Sequence, residues 1–210
     1  YSRATMKFGR RVSPERFHSV FLNLFHSPSA KSYRRSLPAG ERGERMFWRR
    51  LTLDAYRQLN EVHGIDFDEW FNALWNEFGL SKSWSVEPGF SKLRRFANTN
   101  GISLGVISNW DKRLRRILNS LNMTRFFRVI AISSEVRLRK PDPKIFRYAL
   151  AKMQVQPSEA VHVGDNLEED YFGATKVGMR AILYARHNSY LDADGIVSVR
   201  SLAEVPAKLK

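Results

Sequence analysis

Three short stretches of this 210-residue sequence carry side chains able to bind and process a phosphate group. The first closes the apolar run 102–108 with Ser108, followed by Asn109. A hydroxyl and a backbone amide at a strand end can hold phosphate oxygens, although serine there is also an ordinary turn residue. The second is Arg139-Lys140-Pro141-Asp142-Pro143. Its prolines restrict the backbone, Asp142 is suited to cap a following helix, and Lys140 presents a point charge to an anion. In the third, the run 160–164 leads into Asp165, with Glu168, Glu169 and Asp170 close behind. Carboxylates at a strand terminus suit Mg²⁺, a hard ion that takes oxygen ligands, but acids also favour the start of a helix. Taken together, a hydroxyl, an amine and an acidic cluster close three successive strands in that order, which is far more specific than any one of them.

The elements that must position these groups follow from residue spacing. Beyond residue 88, strands are expected at 102–108, 128–133, 160–164, 180–184 and 196–199, alternating with helices at 111–121, 143–153 and 168–177 and from residue 201. That alternation predicts an α/β fold with a doubly wound, parallel, Rossmann-like sheet covered on both faces, its ligands at the carboxyl ends of the strands. Residues 14–86 read as helical. Ser13-Pro14-Glu15 is a helix start, 27–43 a loop rich in Ser, Pro, Gly and Arg, and 45–60 and 66–78 are amphipathic helices. Four of the five tryptophans lie within 48–84. They predict a helical-bundle core, with a substrate pocket or a stacking platform for bases as the alternative.

With these elements in place, the chain resembles the haloacid dehalogenase (HAD) superfamily of Mg²⁺-dependent phosphohydrolases. Gly105-Val-Ile-Ser-Asn109 is similar to the second motif of that superfamily, Arg139-Lys-Pro-Asp-Pro-Lys-Ile-Phe146 to the third, and Val161-His-Val-Gly-Asp-Asn-Leu-Glu-Glu-Asp170 to the fourth. The likeness covers nearly the whole chain, most strongly 87–200. It implies catalytic and phosphate-binding roles for Ser108 and Lys140, with Asn109 beside them, and a metal role for Asp165 with Asp170 in support. It also implies a helical cap at 14–86 inserted into an α/β core of residues 1–13 and 87–210. The superfamily's first motif, Asp-x-Asp on the first strand, supplies the attacking carboxylate and the residue that handles the leaving-group proton. Here no Asp precedes Asp54, Glu15 is the only acid in the first forty residues, and residues 1–12 resemble the helix that follows that motif. The HAD-type sheet is therefore expected to lack its usual first strand, which the resemblance places between strands 102–108 and 160–164. A stretch upstream of Tyr1 or another polypeptide would fill the slot.

Composition bears on partners. Lys plus Arg number 35 and Asp plus Glu 21, a net charge of +14. The excess is concentrated, with 12 basic and 3 acidic side chains in residues 1–50 and 11 and 3 in residues 101–150. A binding surface concentrates charge in this way, and the partner it suits is a polyanion. Helix 111–121 sets Leu114, Ile117, Leu118 and Leu121 against Lys112, Arg113, Arg115 and Arg116, and Arg137, Arg139, Arg34 and Arg35 extend the cationic set. These eight are the expected RNA contacts, made to the backbone of folded RNA rather than by base stacking. The absence of cysteine excludes disulfides and thiolate chemistry, and no apolar run approaches the ~20 residues of a membrane span, so no membrane partner is expected. The basic, Ser-rich start resembles an organelle transit sequence, which points to mitochondria, with the cytoplasm as the alternative. Two functions are thus expected. One is a non-catalytic pseudoenzyme contacting RNA, such as rRNA, and neighbouring proteins in an organellar ribosome. The other is an Mg²⁺-dependent phosphatase whose nucleophile lies upstream of Tyr1.

Overall fold

The computed structural model describes residues 2–185 and 195–209. Its N-terminal part is helical: α1 (Ser2–Met6), α2 (Pro14–His26), α3 (Pro28–Ser36), α4 (Glu41–Gln58) and α5 (Phe67–Phe78). The Ser13 hydroxyl accepts from the Arg16 amide at 3.1 Å with Pro14 in the first turn, and the Asp66 carboxylate caps α5 through the Glu69 amide at 2.9 Å. The expectation of a loop at 27–43 is corrected. Ser27-Pro28 repeats the Ser13-Pro14 start signal, Ser27 accepts from the Ala30 amide at 3.2 Å, and α3 follows directly. These helices share one core in which Phe17, Phe47, Leu51, Leu59 and Trp70 are buried. Each such side chain contributes roughly 2–3 kcal/mol of burial. Ala4 and Val12 belong to the same cluster, and Trp70 donates to the Thr5 hydroxyl at 3.2 Å, so the first residues lean on the helical layer.

The remainder alternates as expected: α6 (Phe90–Thr99), β1 (Leu104–Ser108), α7 (Arg113–Ser120), β2 (Phe127–Ile132), α8 (Ser133–Val136), α9 (Pro143–Met153), β3 (Val161–Gly164), α10 (Gly173–Thr175), β4 (Arg180–Tyr184), β5 (Ser198–Val199) and α11 (Val205–Lys208). All strand pairings are parallel. Asp142 caps α9 through the Lys144 amide at 2.9 Å, with Pro143 in its first turn, as the sequence predicts. The helix expected at 168–177 instead opens as a π-helical turn, Leu167–Phe172, whose amides at 168 and 169 are held by the Asn166 side chain.

Among the described residues the strands form two sheets, β1-β2 and β3-β4-β5. β1 and β3 do not pair with each other. β4 is buried along three of its five residues, whereas every residue of β3 is half-buried and β1 has no buried residue. Strands central to a doubly wound sheet are normally buried on both faces. Among the described residues β1 pairs only with β2, and β3 only with β4.

Candidate active site

β1 carries Ser108 to the wall of a cavity of about 450 Å³ that also receives Asn109, Lys140, Asp165, Asn166, Glu169 and Asp170. The Ser108 hydroxyl has no hydrogen-bond partner among the described residues and is free to meet a ligand. The Asn109 side chain is already committed. Its amide nitrogen donates to the Lys140 carbonyl at 2.9 Å and to Glu169 at 3.0 Å, and its oxygen accepts from the Lys140 amide at 2.8 Å. The side chain ties the loop after β1 to the loop before α9 and so fixes where Lys140 stands, while the phosphate contact expected here is through the backbone amide, which these bonds do not use.

The Lys140 ammonium donates to Asp170 Oδ1, the same oxygen that His162 Nε2 meets at 2.9 Å, while Asp170 Oδ2 accepts from the Asn166 amide at 3.0 Å. Burial works against ionising Asp170, but the His162 hydrogen bond and the Lys140 charge overrule it and hold the carboxyl far below the usual carboxylate range. Gly164 is required at this place because a Cβ there would lie 2.3 Å from Asp170 Cγ. With both its oxygens engaged, Asp170 holds Lys140 in position. Asp165 is exposed on the cavity wall without a partner among the described residues. Among those residues no group of three histidines or acids gathers within metal-ligating reach. Mg²⁺ keeps several waters and takes one or two carboxylates with substrate phosphate, so Asp165 on this wall is the residue that would hold it.

Glu169, given no role in the sequence beyond membership of the acidic cluster, is a largely buried carboxyl on the cavity wall. Burial raises its pKa against the opposing pull of Arg34 and Lys140. A carboxyl whose folded pKa lies above its unfolded value binds more protons when folded, so its contribution to stability falls as pH rises through that window. Glu169→Gln keeps an acceptor for Asn109 and removes the buried charge. Urea unfolding should show its stability relative to the parent improving from pH 4 to pH 7; an unchanged difference would refute the buried-charge account. His162 was also missed. Its signal was a histidine in an apolar strand, two residues before Gly164 and thus on the same face of β3.

The expected RNA-contacting cations do not form one exposed face. Arg34 is nearly buried, donating to Glu44 at 3.2 Å and to the Asn109 carbonyl at 3.1 Å. Arg139 points to the same carboxylate at 3.9 Å and donates to the backbone carbonyls of Arg34 and Pro38. Arg113 turns inward, where it grips the fully buried Asp111 at 2.7 Å and stacks 3.4 Å from the Trp75 ring centre. A solvent-facing role for Arg34, Arg113 and Arg139 is therefore corrected, because buried carboxylates draw each of them in. Arg35 pairs with Glu168 and Arg115 with Glu135, both at the surface. Lys112, Arg116 and Arg137 are exposed and form no ion pair among the described residues.

The tryptophans divide. Trp70 is buried in the helical core, while Trp48, Trp75 and Trp84 face the cavity together with Phe25, Phe78 and Trp110. The Asp66-Phe67-Asp68 stretch has the spacing of an Asp-x-Asp motif but serves elsewhere, Asp66 as a helix cap and Asp68 in a surface pair with Arg49 at 2.7 Å.

With this geometry in view, likeness to known proteins is informative. The sequence profile described as haloacid dehalogenase-like hydrolase matches residues 11–178. Haloacid dehalogenase-like hydrolase domain-containing protein 3 of Danio rerio is 30% identical, over all of this chain and 88% of that protein. A glyceraldehyde 3-phosphate phosphatase of Methanothermobacter thermautotrophicus is 36% identical, over 62% of this chain and 67% of its own. Among solved structures, a HAD phosphatase from Thermococcus onnurineus superposes with a TM-score of 0.61 at 26% identity, covering 93% of this chain and 78% of its own. The matched span holds Ser108, Lys140 and Asp165 together, and the chain belongs to the haloacid dehalogenase-like hydrolase family.

Proposed function

We propose that this polypeptide contributes the phosphate-holding part of a phosphate-monoester hydrolase. One observation carries the reading: an unpartnered Ser108 hydroxyl, a pinned Lys140 and a free Asp165 line the same cavity at the carboxyl ends of parallel strands. Ser108 donates to one phosphoryl oxygen and the Lys140 ammonium offsets the charge that grows on the others, while Asp170 keeps that ammonium in place. The exposed Asp165 on the same wall is the carboxylate that would take a divalent cation beside the phosphate. The likeness to phosphatases supports this reading at the level of reaction class.

Hydrolysis of p-nitrophenyl phosphate with and without Mg²⁺, by the polypeptide as its cell produces it, tests the reading. Lys140→Ala and Ser108→Ala should each lower kcat about 100-fold or more. Absence of turnover in that polypeptide, or turnover indifferent to both substitutions, would refute it. The alternative of a non-catalytic, RNA-contacting component of an organellar ribosome retains the net charge of +14 and the exposed Lys112, Arg116 and Arg137. It requires no turnover in the same assay and salt-sensitive RNA binding through those three residues.

A further inference from the structure

Resting on the phosphate-ester reading, we propose that the substrate's leaving group is apolar and aromatic, held in the helical layer's half of the cavity while the phosphate lies against Ser108 and Lys140. The cavity has two chemically distinct walls. Opposite the polar strand ends stand Leu22, Phe25, Trp48, Trp75, Phe78 and Trp84. Their rings are mutually fixed: Phe25 and Trp48 stack at 5.9 Å, and Trp84 meets Phe78 edge-on at 5.6 Å and Trp110 at 4.7 Å. Trp75 is clamped by the Arg113 guanidinium, itself anchored on buried Asp111, so the aromatic wall is tied to the loop that follows Ser108. Rings fixed before binding offer apolar area at little ordering cost.

The polar groups on this wall exclude the main competitors. Among the helical-layer residues lining the cavity the hydrogen-bonding side chains are His26, Arg34, Thr52 and the indoles of Trp48, Trp75 and Trp84; Arg34 is committed to Glu44 and the Trp84 N–H to the Phe78 carbonyl at 2.9 Å. A polyhydroxylated leaving group would give up more water hydrogen bonds than these few groups replace, and that loss is costly. A second anionic group would find Arg34 and Arg113 already paired with the buried Glu44 and Asp111. A volume of about 450 Å³ takes a phosphate and a fused aromatic ring pair within the usual range of ligand pockets.

Calorimetric titration with two non-hydrolysable probes, naphthylmethylphosphonate and methylphosphonate, separates the claims. The naphthyl compound should bind at least about tenfold tighter, since it buries an extra ring system. Leu22→Glu, at a position 41% exposed and therefore tolerant in the fold, should bring the ratio of the two affinities toward one, as should Trp75→Ala. Lys140→Ala should weaken both probes. Equal affinities for the two probes, both lost in Lys140→Ala, would overturn the aromatic leaving group and leave the phosphate site standing. Binding of neither probe would overturn both readings. Tight naphthyl binding indifferent to Lys140→Ala would overturn the proposed orientation.

Discussion

Asp170→Asn should lower stability by about 3 kcal/mol at neutral pH, because it leaves the Lys140 ammonium in a nearly closed site without its counter-charge. The side chains of Lys140 and His162 are each 11% exposed and that of Asp170 is 4% exposed, so water cannot replace the lost partner cheaply. The pH dependence carries the sharper signature. A carboxyl held far below its ordinary pKa contributes stability that is fully present above the unfolded-state pKa and is lost as pH falls toward the depressed folded value. The parent should therefore lose stability steeply below about pH 4, and the variant, lacking that carboxyl, should lose less. Urea unfolding at pH 7 and pH 3 measures both. A gap that stays constant between the two pH values, or one under about 1 kcal/mol at pH 7, would show that Asp170 does not hold Lys140 as described.

The same cluster shows what residue types and spacing could reveal and what they could not. Ser108 and Asp165 were legible because each closes a short apolar run, and Lys140 because it sits in a Lys-Pro-Asp-Pro helix start; parallel α/β sheets bring such loops together at the strand ends. The parallel strands and the caps at Ser13 and Asp142 were legible for similarly local reasons. The division of labour between Asp165 and Asp170 was not. It depends on which carboxylate His162 and Lys140 reach across from other elements, and five residues of spacing do not encode that choice. The cations failed for a related reason. A helical projection assigns Arg113 to the polar side of 111–121, yet Asp111 lies two residues away and Trp75 comes from α5, so the long side chain folds back between them. Net charge counts arginines without knowing which of them answer a buried carboxylate. The aromatic residues show the converse: one apolar stripe on α5 supplies both Trp70 to the core and Trp75 to the cavity, because the stripe is wider than the face the core can cover.

Glu44→Ala should cost about 3–5 kcal/mol, because two guanidinium groups converge on a carboxylate that is only 1% exposed. Arg34 and Arg139 would then be left as like charges facing each other away from water. Burial already lowers the pKa of Arg139, with Glu44 opposing the shift and Arg34 reinforcing it, so removing Glu44 takes away the favourable influence and keeps the unfavourable ones. The loss should also reach the site. Arg34 donates to the Asn109 carbonyl, and Arg139 immediately precedes Lys140, so the carboxylate joins the helical layer to both loops that frame the phosphate position. Glu44→Ala should accordingly weaken methylphosphonate binding even at temperatures where the fold persists. Replacing Glu44, Arg34 and Arg139 together with Leu, Met and Met should recover much of the stability, since a buried ion cluster is worth little against well-packed apolar side chains, but it should not recover phosphonate binding. Urea unfolding of the single and triple variants, with calorimetric titration of each, distinguishes the outcomes. Recovery of both properties in the triple variant would mean that the cluster only fills space, whereas recovery of stability alone identifies the charges themselves as what aligns Asn109 and Lys140.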